Sequence, residues 1–157
     1  MPTIFVKIPK NVFPRSSRAL LTRNITEAAA AAEQVGPDAR QRFLCWVSID
    51  EVEPGNLACG GSDATAQLLP CIAWVCVPEG VLLDQASRQV YVQRMHAAFQ
   101  QSLPEDERRP VMTSILLHDV AEGTWGGNGM LWTLPDLARA AGFAHLQHLV
   151  KPTAGAA

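Results

Sequence analysis

The chain begins MPTIFVKIP. Met1 ahead of a small second residue is normally trimmed, and trimming leaves Pro2 as a free secondary amine at the head of an apolar segment. An ordinary α-amino group titrates near pH ~8, and a prolyl amine is intrinsically more basic. Burial beside apolar side chains disfavours the ammonium and pulls the pKa down. An amine poised near working pH suits a general base. Such a base lifts a proton from carbon beside a carbonyl and returns it elsewhere, which is keto–enol tautomerisation. This chemistry asks for no cofactor and no metal. The other reactive side chains form no site of their own. Cys45, Cys59, Cys71 and Cys76 include no CxxC pair and no zinc spacing with a histidine. They read as small buried hydrophobes of a reducing compartment. His145 and His148, three residues apart, lack a carboxylate partner, and no metal site is expected.

A base at the head of a strand needs elements to hold it. Residues 2–9 read as a short strand closed by Pro9. The following stretch carries Leu21, Ile25, Ala28, Ala29 and Ala32 at helical spacing, with Ser16 or Ser17 as cap and Gly36-Pro37 as stop. Residues 42–50 read as a second strand, ended by EPGN. The pattern then repeats after about 68 residues. PCIAWVCVP is a strand, and residues 84–104 form a helix with Asp84 as cap and Tyr91, Met95, Ala98 and Phe99 on one face. VMTSILLHDV, residues 111–120, is a strand, and EGTWGGNG is a glycine-rich turn. The chain is thus one unit written twice, spanning 1–69 and 70–130, with a C-terminal arm over 131–157. Each half is a β-α-β unit, whose crossover favours parallel strands. Side by side, the halves give an α+β fold: a four-stranded sheet with both helices on one face. The other face also reads apolar, and another subunit is the simplest cover for it. In the arm, a short helix starts near Pro135 and stops at Gly142. HLQHLV reads as an edge strand or an arm onto a neighbour. Pro70 heads the second unit but is an internal amide with no free amine.

Composition narrows the function. The 157 residues are 48% hydrophobic and 18% charged, with a formal charge of -2, which is not a disordered composition. No block of like charge offers a footprint for nucleic acid or an anionic membrane. The start lacks a secretory h-region, and no apolar run reaches membrane-spanning length. A cytoplasmic protein acting on a small molecule is expected, with neither nucleic acid nor membrane as partner.

These features together resemble the tautomerase superfamily. The resemblance rests on MPTIFVKIP, on QRFLCWVSIDEVEPGNLACGG (41–61), which is similar to a stretch of cis-3-chloroacrylic acid dehalogenase, and on DVAEGTWGGNG (119–129), which is similar to the turn after the second strand of 4-oxalocrotonate tautomerase. It implies β-α-β units assembled as a homotrimer of fused chains, removal of Met1, and Pro2 as the catalytic group. It also implies Trp125 at the family's aromatic wall; Trp46 could add a second aromatic surface, while burial in the core or between subunits also accounts for both tryptophans.

The pattern departs from the family where carboxylates are held. Val12, Val81, Trp46, Ser114 and Pro78 stand where relatives place arginines. Ala29 replaces a helix histidine, and Gly127 a water-activating glutamate. A dicarboxylate substrate and hydrolytic dehalogenation are therefore disfavoured. His118 shares a strand face with Ser114 and Leu116 and could give a hydrogen bond or a proton near the site. Asn128 could offer its amide to a carbonyl oxygen, although turns favour asparagine for backbone reasons alone. Lys7 points away from the Pro2 face. Arg18, Arg42 or Arg109 of a neighbouring subunit could complete the pocket. Two functions stand. One is a cofactor-free keto–enol tautomerase using Pro2 on a small keto/enol or unsaturated acid. The other is a catalytically weak or inactive oligomeric binding protein that keeps the fold.

Overall fold

A computed structural model describes residues 2–150. The element order is β1 (Thr3–Pro9), α1 (Arg15–Ala32), α2 (Ala39–Arg42), β2 (Trp46–Val52), β3 (Leu69–Pro78), α3 (Gln85–Gln100), β4 (Val111–Val120), β5 (Gly126–Gly127), β6 (Met130–Leu131), α4 (Leu134–Ala141) and a 3-10 helix (Ala144–Leu149). The main sheet runs β2-β1-β3-β4. β1 pairs in parallel with β2, and β3 in parallel with β4, while β1 and β3 meet antiparallel. Two β-α-β halves therefore join head to tail along one seam.

Strand alternation decides which side chains are buried. Ile4, Val6 and Ile8 of β1 and Cys71, Ala73, Val75 and Val77 of β3 lie under α1 and α3. From the helices, Leu21, Ile25, Ala29, Tyr91, Met95 and Phe99 fill the same layer. The opposite phase forms the open face. Phe5, Trp74, Leu116, Met112 and Trp46 lie there, between 45% and 69% exposed. Register stacks them into rows: Ser48, Phe5, Trp74 and Leu116 form one, and the rings of Phe5 and Trp74 approach to 6.4 Å. The apolar open face expected from the sequence is present.

Several boundaries differ from the sequence reading. Neither Ser16 nor Ser17 caps α1: Pro14 holds the N-cap position with no side-chain hydrogen bond, and Ser17 is buried inside the helix. A proline there lets the helix start without a donor to satisfy. The helix stops before Gly36, because Gln34 turns left-handed at φ 54°. Residues 42–45 are not strand. Asp38 accepts a hydrogen bond from Arg40 N at 2.9 Å and starts a helical turn, so β2 begins only at Trp46. HLQHLV, residues 145–150, forms no edge strand. After α4, which Thr133 and Asp136 cap and Gly142 ends at φ 65°, the segment coils into the 3-10 helix. It packs on its own chain: Phe143 and Leu146 are buried, and Ala144 N donates to Gln34 O at 2.9 Å.

No helix among the described residues is long and apolar enough to cross a membrane. The buried phase of β1 carries the packing energy. Ile4→Ala is expected to destabilise the fold by about 2–5 kcal/mol, the cost of a large-to-small change at a fully buried site, read as the free energy of urea unfolding.

Candidate functional site

Pro2 is buried at the head of β1. Its carbonyl accepts a hydrogen bond from Trp46 N at 3.0 Å, which ties the chain start to the start of β2. Pro2 shares its phase with Ile4 and Val6, so it falls on the helix-covered side, and Lys7 falls on the other, as the alternation requires. Thr3 opens the exposed phase, in one row with Trp46, Cys76 and His118.

Beside Thr3 lies a cavity of about 160 Å³, lined by Thr3, Leu44, Trp46, Trp125, Asn128 and Trp132 with the Gly126-Gly127 backbone. A tight hairpin builds one wall. β5 and β6 pair antiparallel around Asn128 and Gly129, both at positive φ (51° and 77°), which is the Asn-Gly turn preferred where strand twist must continue. The turn sets Trp125 opposite Trp132, whose N–H donates to Trp125 O at 2.9 Å. Trp132 Nε1 donates to Gly127 O at 3.2 Å. A Cβ on Gly127 would stand 3.3 Å from that nitrogen, so glycine lets the indole lie close. The cavity is therefore walled by three indoles, with the Thr3 hydroxyl and the Asn128 amide as its polar side chains.

The structure brings Trp46, Trp125 and Asn128 together there. His118 lies two strands across from Thr3, about 10 Å at ordinary strand spacing, and its ring meets Trp74 edge-on at 6.2 Å. Ser114 is four residues further along β4, about 13 Å beyond. Trp132, Thr3 and Leu44 escaped the sequence reading. For Trp132 a signal existed: an Asn-Gly hairpin pairs the residues equidistant from its turn, and Trp125 and Trp132 are such a pair.

Behind Pro2 the helix layer is polar at one point. Glu33, the C-cap of α1, is fully buried, and its Oε1 accepts a hydrogen bond from the Tyr91 hydroxyl at 2.9 Å. Burial first, and then the Glu33 carboxylate, hold the Tyr91 phenol well above its ordinary range. Cys45, one residue before β2, is pushed up to about 11 by burial and then by Glu33. Both groups are protonated and neutral at pH 7.

Of the positions where the resemblance places arginines, Val12 (8% exposed) and Val81 (2%) are apolar and closed, while Trp46 (69% exposed) and Ser114 lie on the open face, and Ala29, in place of the histidine, is fully buried. The arginines considered as donors from a neighbour are engaged within their own chain. Arg18 pairs with Glu51, Arg42 forks onto Glu27 and Gly36 O, and Arg109 forks onto Glu107 and reaches Thr65 O. Among the described residues, no group of three or more His, Cys, Asp or Glu side chains is placed to hold a metal ion.

No family model and no curated protein matches this chain. Solved structures do. A fused 4-OT forming a symmetric trimer superposes with a TM-score of 0.66 at 16% identity, covering 89% of this chain and 98% of that one. Pt0534, inactivated by 2-oxo-3-pentynoate, gives 0.64 at 12% identity over 82% of this chain and 95% of its own. A probable enzyme from the thermophilic fungus Aspergillus fumigatus gives 0.64 at 14% identity over 99% and 98%. Across nearly its whole described length, the chain has the fold of the fused 4-oxalocrotonate tautomerases and their tautomerase-superfamily relatives.

Proposed function

We propose that this protein is a cofactor-free tautomerase in which Pro2, freed by removal of Met1, is the general base. The observation that carries the reading is the position of Pro2, buried at the head of β1 and followed directly by Thr3, which lines an indole-walled cavity. The amine takes the proton of an enol hydroxyl, or of carbon beside a carbonyl, and delivers it to the other end of the conjugated system. Atoms and charge balance without any second reactant. The indoles of Trp46, Trp125 and Trp132 offer an apolar bed for an unsaturated or aryl-bearing substrate. Thr3 and Asn128 are the polar side chains available to its oxygens. With none of the family's arginine places holding an arginine, and Val12 and Val81 closed at two of them, the favoured substrate is a small keto or enol acid with a large apolar part rather than a dicarboxylate. His118 and Ser114, on the open face, are proposed to meet substrate only in the assembled protein.

Self-association completes the reading. The apolar open face and the trimeric state of a fold neighbour support a homotrimer. Burying such a patch between subunits removes its surface from water. The competing reading, an oligomeric binding protein that has lost activity, draws on the same closed valines and committed arginines.

Three measurements bear on this. Intact mass should show loss of Met1. Pro2→Ala should then abolish ketonisation of a phenylenolpyruvate-type substrate, while equal turnover by the wild type and the variant rejects Pro2 as the base. Light scattering at micromolar concentration should give three chains per particle, and Trp74→Glu, at the centre of the open face, should give a smaller species. A wild-type monomer would refute burial of that face.

A further inference from the structure

The mechanism above uses the amine and the cavity but not the buried carboxylate behind them. Three elements deliver their ends to the same place. β1 begins there with Pro2. α1 runs back along β1, so its last residue, the C-cap Glu33, arrives at the strand's start. β3 runs antiparallel to β1 with Cys76 opposite Thr3, so α3, which follows β3, brings Tyr91 of its second turn to that same end. The Tyr91–Glu33 hydrogen bond at 2.9 Å confirms that the two helices converge. The Trp46 N to Pro2 O bond closes the group by setting Pro2 against the segment that carries Cys45.

We propose that Glu33, oriented by Tyr91, is the counter-carboxylate of the Pro2 amine, a positioning residue that stabilises the prolinium formed each time the amine takes a proton. This rests on Pro2 being the free base. A base in an apolar layer gains a positive charge on accepting a proton, and that charge is costly without a compensating anion. Glu33 sits on the helix-covered side, where Pro2 also falls, at the C-terminal end of an 18-residue helix. The partial negative charge at that end of the helix favours a cation as well. Among the described residues, titratable groups facing Glu33 include Tyr91 from α3 and Cys45 from the segment before β2. Both are protonated at neutral pH, so neither supplies the negative charge. The Tyr91 hydroxyl donates to one carboxylate oxygen and fixes the plane of the group. Glu33 thus opposes the desolvation that would lower the basicity of the amine. The proton the amine accepts is held long enough to be returned to carbon.

The test is a 15N NMR titration of the Pro2 amine on protein whose mass shows Met1 removed, with turnover measured in parallel. Glu33→Gln keeps the shape and the tyrosine contact but removes the charge. It is expected to lower the amine pKa by about 1–3 units, the range for an opposite charge at close approach, and to move the acid limb of the rate profile by the same amount. If Glu33→Gln does not fold, Glu33→Asp withdraws the charge by one methylene and should lower the amine pKa in the same direction. An amine pKa unchanged in whichever variant folds overturns the proposal, as does retained Met1. The two readings fail separately. If Pro2→Ala leaves turnover intact while Glu33→Gln still shifts the amine, the counter-charge stands and the base does not. If Pro2→Ala abolishes turnover while Glu33→Gln shifts nothing, the base stands and Glu33 has no part in it.

Discussion

The antiparallel seam between β1 and β3 is the contact on which the rest of the molecule depends. Each β-α-β half supplies only two parallel strands, and two strands do not make an independently stable sheet. Pairing Thr3 with Cys76 and Lys7 with Ile72 joins them. Because side chains alternate with a period of two, that one register fixes every side chain of the sheet. It sends Ile4, Val6, Ala73 and Val75 under the helices and Phe5 and Trp74 to the open face. A slip of one residue would exchange the faces and place Lys7 in the core.

The same seam concentrates chemistry at one end of the sheet. Antiparallel halves present the start of β1 beside the end of β3. The C-terminus of α1 and the early turns of α3 therefore meet where the chain begins. The helix layer is apolar along the sheet, and its fully buried charged side chain, Glu33, occurs at this end, hydrogen-bonded to Tyr91. A buried carboxylate is weak support for stability and costs free energy to desolvate. Its place near the chain start is what the proposed counter-charge for Pro2 draws on.

The pocket trades charge for aromatic surface. A carboxylate-holding site built on arginines needs polar, open positions at the strand ends. Here Val12 and Val81 are packed into the core instead. The arginines near the strand ends and connecting loops are held by Glu51, Glu27 and Glu107. The cavity beside the chain start is walled instead by three indoles, two of them carried by the hairpin. The backbone requirement at Asn128, at φ 51°, accounts for its residue type as a turn former, and the turn places it in the cavity lining.

The sequence by itself determined the repeated strand–helix–strand plan, the two-faced sheet, and the place of Pro2 at the head of the first strand. These are carried by local periodicity and by punctuation such as Pro9, Asp84, Asn128-Gly129 and Gly142, and those signals act within a few residues of themselves. Boundaries set by competing local chemistry were less legible. The Asp38 turn displaced the start of β2, and Gln34 ended α1 early, because an aspartate cap and a left-handed residue outweigh apolar pattern at the ends of elements. Only the tertiary structure decided which distant residues meet. Trp46, Trp125 and Trp132 share a cavity, His118 and Ser114 lie apart from it, and Glu33 and Tyr91, far apart in the chain, form a buried pair behind Pro2. The reason is that the antiparallel register of β1 against β3 is a long-range choice. No periodicity within either half encodes it, and every contact between the halves follows from it.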